Sequence, residues 1–427
     1  MKIAAAVGAF SRELVSVMER AVSPRYGLIE RIVEEPPARE GLGIRLAHAV
    51  IAPPAYFRAN RRSTVRTVER GTGAAFARQP ACWAAIGEAL ERYAASIYWP
   101  DQLVMATARS LNEPILDLAR LIRPGRSDVQ AFCAESPRAW TRGVDLMHGH
   151  TVMVPAAMTW LGYVPAGDGE VICQNDSTGL ACGNTTEGAC LSALCEMIER
   201  DVFASFWLLQ RKPPRLDTAT ALSRLDLAVR RALASDRLSV RLYHLARTCG
   251  VHVVMSVITS QAGHGVVSAA ASPSIIRAVE KAVCEGLYSW TASGRDMSRI
   301  QDARDIRQPS DHLVYYRPPE RFRIVEALLD SPDRVVLDDL IRDPVPALRD
   351  IVAALNSEGF SPAMVNVTTA DVEALEMQVV RVVVPGLQPL VFGADCVRVP
   401  DRRRVAQWRQ AWSLSDGPLN PLPHPFP

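Results

Sequence analysis

The sequence predicts an α/β fold with a duplicated unit, in which a glycine-rich turn leads into an acidic helix. Three observations support this prediction. Short apolar runs typical of strands alternate with helical stretches along most of the 427 residues. The pattern Glu-x-x-Glu-Arg occurs twice, each time behind an alanine-rich apolar stretch. Gly71 precedes Glu88 by seventeen residues and Gly179 precedes Glu196 by the same number, which indicates an internal repeat.

The composition is that of a globular protein and argues against several functional classes. Apolar residues make up 48% and charged residues 22% of the chain, which is enough apolar material for a buried core. The net charge of +2 predicts no strong attraction to nucleic acid or to an anionic membrane, and no apolar run approaches a membrane span in length. Nine cysteines without a Cys-x-x-Cys pair indicate neither a disulfide framework nor a zinc knuckle. We therefore expect the protein to reside in the reducing cytoplasm.

We predict three segments along the chain. Residues 1–60 form an entry segment with an N-terminal amphipathic helix, a turn, a short strand and a proline-rich loop. We prefer this helix to a signal peptide because Arg12 and Glu13 follow its short apolar run at once. Residues 61–400 form the main domain, and residues 401–427 form a C-terminal segment with a proline-rich tail.

Helical and strand-like patterns follow one another through the main domain. A helix is predicted at 227–236, and strands are predicted at 149–163, 239–246, 251–260, 362–370, 378–386 and 388–396. The stretch 212–217 has the prolines of a joint between units. The polar, proline-rich stretch 305–322 predicts a surface excursion.

The acids of the repeated pattern predict a cation site. Residues three apart share a helix face, so Glu88 with Glu91, and Glu196 with Glu199, each present two carboxylates on one side. A weaker third copy contains Glu285. The apolar residues around these acids indicate that these helix faces are buried. Burying carboxylates without a counter-charge is strongly unfavourable, and a hard divalent ion such as Mg²⁺ would supply that charge.

The arginine that ends each copy is suited to the same site. Arg92 and Arg200 can neutralise carboxylates or hold a phosphate with a planar fork of donors, although the chain contains no P-loop motif. The alternative is a solvated helix face with intrahelical ion pairs. The two copies lie at the same distance from a preceding glycine, and this repetition favours the nucleotide–metal site over a solvated helix face.

Three separated motifs resemble the YcaO family. The stretch STGLACGNTTEGACLSALCEMIERD, residues 177–201, resembles the family signature Ser-x-Gly-x-x-x-Gly-Asn followed by an acidic helix that ends Glu-x-x-Glu-Arg. GTGAAFARQPACWAAIGEALERY at 71–93 is similar to the first acidic helix of the family, and SPSIIRAVEKAVCEGLYS at 272–289 is similar to the third. The resemblance implies an α/β fold that binds ATP and Mg²⁺ and phosphorylates a backbone amide oxygen of a peptide.

The resemblance also implies residue roles. Acids that hold the metal would be Glu88, Glu91, Glu196, Glu199 and Glu285, and residues that contact the nucleotide would be Ser177, Asn184, Glu187, Arg200 and Lys281. Three positions depart from the family pattern. Thr72 stands where many relatives have lysine, whereas Lys281 and Trp290 stand where arginine is usual.

The tail distinguishes among the reactions of the family. Proline alternates with other residues to the last position, which excludes helix and central strand and predicts an extended, polyproline-II-like end. Family members with such ends are similar to cyclodehydratases, and the resemblance implies that Pro423, Pro425 and Pro427 belong to the catalytic machinery. The alternatives are a disordered terminus or a docking strand for another protein.

The function that the resemblance implies is an ATP- and Mg²⁺-dependent cyclodehydratase. It would form thiazoline and oxazoline rings from Cys, Ser and Thr of a ribosomally synthesised precursor peptide, as in thiazole/oxazole-modified microcins and other bacteriocins. The implied partners are the precursor peptide, a separate E1-like leader-binding protein and, in some complexes, an FMN-dependent azoline dehydrogenase, all within a multi-subunit assembly. The alternatives are a thioamide-forming enzyme with the same phosphorylation chemistry and a non-catalytic scaffold that binds nucleotide or peptide.

Three smaller signals have ordinary interpretations. His148 and His150, two apart before a strand and with no acid evident beside them, predict a surface turn, with a metal pair as the minor alternative. His424 is predicted to be solvated rather than a general base. The basic run 401–404 predicts a solvated helix start.

Overall fold

The structure is a computed structural model that describes residues 11–36, 43–52, 70–121, 129–294, 300–393 and 401–427. The first ten residues of the predicted N-terminal helix and most of the proline-rich loop that follows β1 lie outside these ranges. The α/β class is confirmed, since helices pack on three sheets. Among the described residues, no helix is long and apolar enough to cross a membrane.

Strands and helices are numbered in chain order. The strands are β1 Ile29–Glu34, β2 Arg45–Ile51, β3 Arg70–Ala75, β4 Val104–Ala106, β5 Arg138–Asp145, β6 Thr151–Pro155, β7 Leu180–Gly183, β8 Arg215–Asp217, β9 Leu238–Thr248, β10 Val251–Ser260, β11 Gly265–Ser272, β12 Arg334–Val336, β13 Ala363–Asn366 and β14 Gln378–Val383. The α-helices are α1 Arg12–Ala21, α2 Arg78–Ala94, α3 Ala156–Thr159, α4 Thr186–Leu208, α5 Leu227–Leu233, α6 Ile275–Ser293, α7 Pro309–Tyr316, α8 Pro319–Leu329, α9 Leu337–Ile341, α10 Leu348–Ser357, α11 Ala370–Glu373 and α12 Arg402–Ala411.

The strands form three sheets. One has the order β1-β2-β3, a second has the order β11-β10-β9-β8-β12, and the third has the order β4-β5-β13-β14-β7 with β6 paired to β5. All the strand pairs are antiparallel except β8 with β12. Helix α4 contacts strands of both larger sheets, which explains why it is apolar on most of its sides.

The predicted repeat is a strand followed directly by an acidic helix, and it occurs three times, as β3–α2, β7–α4 and β11–α6. The three helices also meet neighbouring units: α2 contacts β7 and β14, α4 contacts β11, and α6 contacts β3. The glycine-turn prediction is only partly confirmed. Gly179 has φ +81° and ends the turn before β7, whereas Gly71 lies inside β3.

Gly71 and Gly73 are required by close packing instead. A Cβ on Gly71 would lie 2.3 Å from the carbonyl oxygen of Ala85, and one on Gly73 would lie 1.9 Å from the carbonyl oxygen of Ala81. Because α2 rests directly on these two residues, the spacing between glycine and acid reflects a helix packed against the strand that precedes it.

We expect Gly73→Ala and Gly87→Ala to change stability in opposite directions, although Gly87 lies on the helix that Gly73 supports. Alanine at position 73 must push the α2 backbone away and should cost at least about 1–3 kcal/mol. Alanine at position 87 meets nothing within 4 Å and should stabilise the helix by about 0.5–1 kcal/mol. Urea denaturation of both variants tests this, and equal effects would contradict the packing role of Gly73.

Two predicted elements are wrong. The stretch 305–322 is not an excursion, because it contains α7 and the start of α8, and its residues His312, Tyr316 and Phe322 are buried. Each of these helices begins with a proline, which is favourable at the first helical position. Residues 388–393 of the strand predicted at 388–396 are irregular, and the remainder lies outside the described residues.

The C-terminal segment is held more firmly than the sequence predicts. Arg404 in the basic run is buried and its Nη2 lies 2.6 Å from Oδ2 of Asp201, so the helix start is not fully solvated. His424 is also buried rather than solvated. The tail has no helix or strand after α12, as predicted.

Candidate active site

The first glutamate of each Glu-x-x-Glu-Arg motif is fixed in the same way. Glu88 accepts a hydrogen bond from the Thr72 amide and pairs with Arg92. Glu196 accepts one from the Gly179 amide at 2.9 Å and pairs with Arg200, whose Nη2 lies 2.9 Å from its Oε1. Each helix is thus tied to the strand before it by an equivalent carboxylate, and the repeat extends to individual contacts.

Glu91, Glu199 and Glu285 form no ion pair with an arginine within the described part of the chain, although Glu199 accepts a hydrogen bond from the Ala271 amide at 2.8 Å. Burial raises the pKa of Glu91 well above its usual value, and the nearby carboxylates of Glu196 and Glu88 raise it further. Burial likewise raises the pKa of Glu199 to about 8, with Lys281 opposing the shift and Glu196 and Glu285 adding to it. These interactions show that acids from α2, α4 and α6 converge.

Glu285 completes the group from α6. Burial raises its pKa, Lys281 opposes this, and Glu88 adds to it. Its side chain still reaches solvent, and Lys281 one turn away is exposed. The acid cluster, defined as Glu88, Glu91, Glu196, Glu199 and Glu285, is therefore surrounded by protein but open on the α6 side.

The acid cluster fits a hard divalent cation. Carboxylate oxygens are the donors that Mg²⁺ and Ca²⁺ prefer, and a bound cation would relieve the repulsion that raises these pKa values. No three of these carboxylates bring oxygen atoms within 4.8 Å of one another. Mg²⁺ usually takes one or two protein carboxylates and completes its coordination with water and phosphate oxygens.

The residues predicted to contact nucleotide lie around the start of α4 and beside the acid cluster. Asn184 and Glu187 are exposed at the N-terminus of α4, whose capping residue Thr185 accepts a hydrogen bond from the Gly188 amide at 3.0 Å. Ser177 is half-buried in the turn before β7.

Arg200 contacts both the turn before β7 and the acid cluster. Its Nη1 donates to Oγ1 of Thr178 at 2.6 Å, and its buried Nε has no hydrogen-bond partner among the residues that the structure describes. Burial opposes the charge of Arg200, but Glu196, Asp176 and Glu199 outweigh burial and raise its pKa. Its role as a phosphate contact stays a prediction, supported by this free donor.

Sequence analysis missed Arg381, a second buried cation. Its Nε donates to the carbonyl oxygen of Met158 at 2.8 Å, and its Nη1 donates to that of Asp176 at 2.8 Å. Burial lowers its pKa, although Asp176, Glu196 and Glu91 oppose the shift. It lines a cavity of about 110 Å³ together with Asp176. An arginine inside the apolar run QVVRVVVPG was the available signal.

The proline tail packs against the second half of α4 and against α7. Trp207 Nε1 donates to the carbonyl oxygen of Leu422 at 2.9 Å, and the Tyr316 hydroxyl donates to that of Pro423 at 2.6 Å. The Phe426 ring lies 4.6 Å from that of Phe203. Pro425 is buried and Pro427 is half-buried at the end of the chain.

One aromatic ring links the tail to the candidate site. The Phe392 ring lies 5.8 Å from the Arg200 guanidinium and 5.5 Å from the His424 ring. His424 Nε2 donates to the carbonyl oxygen of Val391 at 3.1 Å, which fixes the residue next to Phe392. Sequence analysis did not identify Phe392, because it expected a strand there.

We expect the contribution of Glu199 to the stability of the metal-free protein to fall as pH rises from 4.5 to 8. The Glu199 carboxyl has a pKa of about 8 in the folded protein against 4.5 as its ordinary value, so folding favours its protonated form. Its contribution is therefore complete below pH 4.5 and is lost as pH rises through 8. Thermal unfolding of wild type and Glu199→Gln across this range isolates the effect. A constant difference between them would contradict it.

These features define a class of protein: an α/β fold in which three strand–helix units bring together glutamates whose carboxylates suit a divalent cation. Comparison with known proteins places the chain within that class. Residues 72–388 match the family described as YcaO cyclodehydratase, ATP- and Mg²⁺-binding. The protein belongs to the YcaO family, and ATP and Mg²⁺ are the ligands of this family.

Individual proteins are similar over most of the chain. An uncharacterized protein in the tfuA 3′ region of Rhizobium leguminosarum bv. trifolii is 25% identical over 82% of this chain and 84% of its own. The structure of a heterocyclase in complex with substrate and cofactor matches 97% of this chain with a TM-score of 0.71 and 20% identity. This chain spans only 57% of that heterocyclase.

A structure of YcaO from Methanopyrus kandleri bound with AMPPCP and Mg²⁺ also matches. The TM-score is 0.63 at 22% identity, over 88% of this chain and 89% of that chain. At this level of identity, both structures establish the fold.

Proposed function

We propose that the protein is an ATP-dependent cyclodehydratase that forms thiazoline or oxazoline rings from Cys, Ser or Thr residues of a ribosomally synthesised peptide. The observation that carries the proposal is the position of the tail. A proline-rich end is typical of azoline-forming relatives, and here it packs on the helix that carries Glu196 and Glu199. The Phe392 ring contacts both His424 of this tail and Arg200.

Acidic residues and basic residues have different proposed roles in binding Mg²⁺ and ATP. Glu91, Glu199 and Glu285 would hold Mg²⁺, which when bound neutralises charge on the phosphates of ATP. Arg200 offers its unpartnered Nε to the same phosphates. Lys281, close enough to lower the pKa of Glu199 and Glu285, adds a second positive charge.

The reaction requires two proton transfers, one from the attacking side chain and one from the amide nitrogen. The side-chain thiol or hydroxyl adds to the preceding carbonyl carbon and must lose its proton. The carbonyl oxygen, phosphorylated by ATP, then leaves as phosphate while the amide nitrogen loses its proton to form the ring C=N bond. The Pro427 carboxylate can accept such a proton, and the buried His424, Pro425 and Phe426 limit its movement.

The partners follow from the same proposal. The precursor peptide is the substrate, and a separate E1-like protein supplies leader binding in a cytoplasmic multi-subunit complex. An FMN-dependent dehydrogenase would act afterwards where azoles are made. We further propose that residues 61–400 form the catalytic domain, with 1–60 leading into it and 401–427 completing the site.

Intact-mass analysis of the precursor peptide tests the proposal. The peptide is incubated with this protein, its E1-like partner, ATP and Mg²⁺, in parallel with a variant that lacks Phe426 and Pro427. Loss of one water per modified residue, abolished by the truncation, is expected. The thermal midpoint of the variant shows whether its fold persists without the Phe426–Phe203 contact.

Other outcomes separate the alternatives. An unchanged mass with ATP still bound contradicts cyclodehydration and favours the scaffold. A mass gain equal to exchange of oxygen for sulfur, in reactions given sulfide, identifies thioamide formation. Water loss that survives truncation retains the enzyme and removes the tail from catalysis.

A further inference from the structure

The hairpin between β5 and β6 brings together three side chains that the proposed function does not use. Asp145 ends β5, and His148 and His150 follow in the turn. A ring nitrogen of each histidine and a carboxylate oxygen of Asp145 all lie within 4.8 Å of one another. Within the ranges that the structure describes, this is the one group of three such residues with that compactness.

The sequence interpretation of this turn was incomplete. It expected no acid beside the histidines, but the turn folds back and brings Asp145 to them. The Gly149 amide donates to the carbonyl oxygen of Asp145 at 2.8 Å, and the Asp145 amide donates to that of His150 at 2.9 Å. Gly149 has φ +72°, a conformation that suits glycine and lets the chain reverse between the two histidines.

The turn fixes the carboxylate before any ligand arrives. Oδ1 of Asp145 accepts hydrogen bonds from the amides of Met147 at 3.0 Å and His148 at 2.7 Å. The Asp145 side chain is 13% exposed, whereas the His148 side chain is 58% exposed. One ligand is therefore anchored in the hairpin, and an ion can approach the others from solvent.

We propose that Asp145, His148 and His150 form a surface site for a zinc-class divalent ion, separate from the acid cluster. Nδ1 of His148 lies 3.0 Å from Oδ1 of Asp145, so the two groups already face each other. Ligand atoms of one zinc ion lie at most about 4 Å apart, since Zn–N and Zn–O bonds are about 2.0–2.2 Å long. Small rotations of two exposed imidazoles close the remaining gap.

The donor set distinguishes the two sites chemically. Imidazole nitrogen is a preferred ligand of Zn²⁺, Ni²⁺ and Cu²⁺, whereas Mg²⁺ takes oxygen ligands only. The hairpin supplies two nitrogens and one oxygen, and the acid cluster supplies oxygens alone. Three protein ligands leave a fourth position for water or for a ligand from another molecule.

Calorimetric titration of Zn²⁺ into untagged protein tests the site. Excess Mg²⁺ keeps the acid cluster occupied, and a Cys133→Ser background removes an exposed thiol that would compete for zinc. We expect one ion per chain with a micromolar dissociation constant. His148→Ala and His150→Ala should each weaken binding at least about tenfold. Asp145→Asn keeps the acceptor for the turn amides but should also weaken binding.

The control is His264→Gln, which lies outside the hairpin and should leave the affinity unchanged. The thermal midpoint gives a second readout, because bound Zn²⁺ should raise it in wild type and in the control but not in His148→Ala/His150→Ala. No binding by the wild-type hairpin would overturn the proposal. Full binding by the double histidine variant would overturn it too, since the ion would then be held elsewhere.

Discussion

Glu199→Gln should slow ATP turnover and, in the same molecule, stabilise the metal-free fold. The carboxylate is a proposed metal ligand, and the loss of several kcal/mol of charge stabilisation corresponds to a decrease in rate of roughly 10²–10³-fold. In metal-free protein above pH 7, however, burial opposes the Glu199 charge, as its pKa of about 8 shows. The glutamine oxygen can still accept the hydrogen bond from the Ala271 amide, at 2.8 Å in the wild type.

Phosphate release from ATP measures turnover, and thermal unfolding with and without Mg²⁺ and ATP measures stability and ligand binding. The variant should unfold at a higher temperature than wild type in the presence of a chelator, and it should gain little from Mg²⁺ and ATP. Glu373→Gln, an exposed acid on α11, is the matched control and should behave as wild type in both conditions. Equal stabilisation of the Glu199 variant and wild type by nucleotide would remove Glu199 from the metal site.

Asp201→Asn should destabilise the protein by about 3 kcal/mol, because the buried Arg404 guanidinium loses its nearest counter-charge and is left with the more exposed Glu358, whose Oε2 lies 3.5 Å from Nη1. The side chains of Asp201 and Arg404 are 1% and 5% exposed. Asp201 also accepts hydrogen bonds from Nε1 of Trp408 at 3.1 Å and from the Gln388 amide at 2.7 Å. One carboxylate on α4 therefore holds α12 and the segment before Phe392.

Urea denaturation measures the loss, and two further variants define its origin. Asp201→Asn/Arg404→Met removes both charges and should recover part of the stability. Asp416→Asn breaks the Arg409–Asp416 pair in the same C-terminal segment, in which Asp416 is 98% exposed, and should cost less than about 1 kcal/mol. If the exposed and buried pairs cost the same, burial is not the reason for the effect.

The acids could be predicted from the sequence because their information is local. Helical spacing places Glu196 and Glu199 on one face, and the repeat predicts Glu88 and Glu91 by analogy. The prediction that these acids share a site needed no knowledge of the sheets. It rested on the free-energy cost of burying carboxylates without a counter-charge.

Residues whose meaning depends on distant partners were missed or misjudged. Arg404 looked solvated because Asp201 lies 203 positions earlier, and His424 looked solvated because Val391 lies 33 positions earlier. The position of Arg381 could not be predicted because its hydrogen-bond acceptors are backbone carbonyls, which leave no mark in the sequence. Two helices that each begin with a proline were predicted as a surface excursion, because composition does not show whether proline begins a helix or interrupts one.

Helix α4 fixes the position of the proline tail relative to the proposed metal ligand Glu199. Glu199, Phe203 and Trp207 follow one another at intervals of four, so the proposed ligand and both aromatic anchors of the tail lie along one side of a single rod. One residue inserted between Glu199 and Phe203 would turn the anchors by about 100° relative to the acid. This stretch should therefore tolerate substitution far better than any change in length.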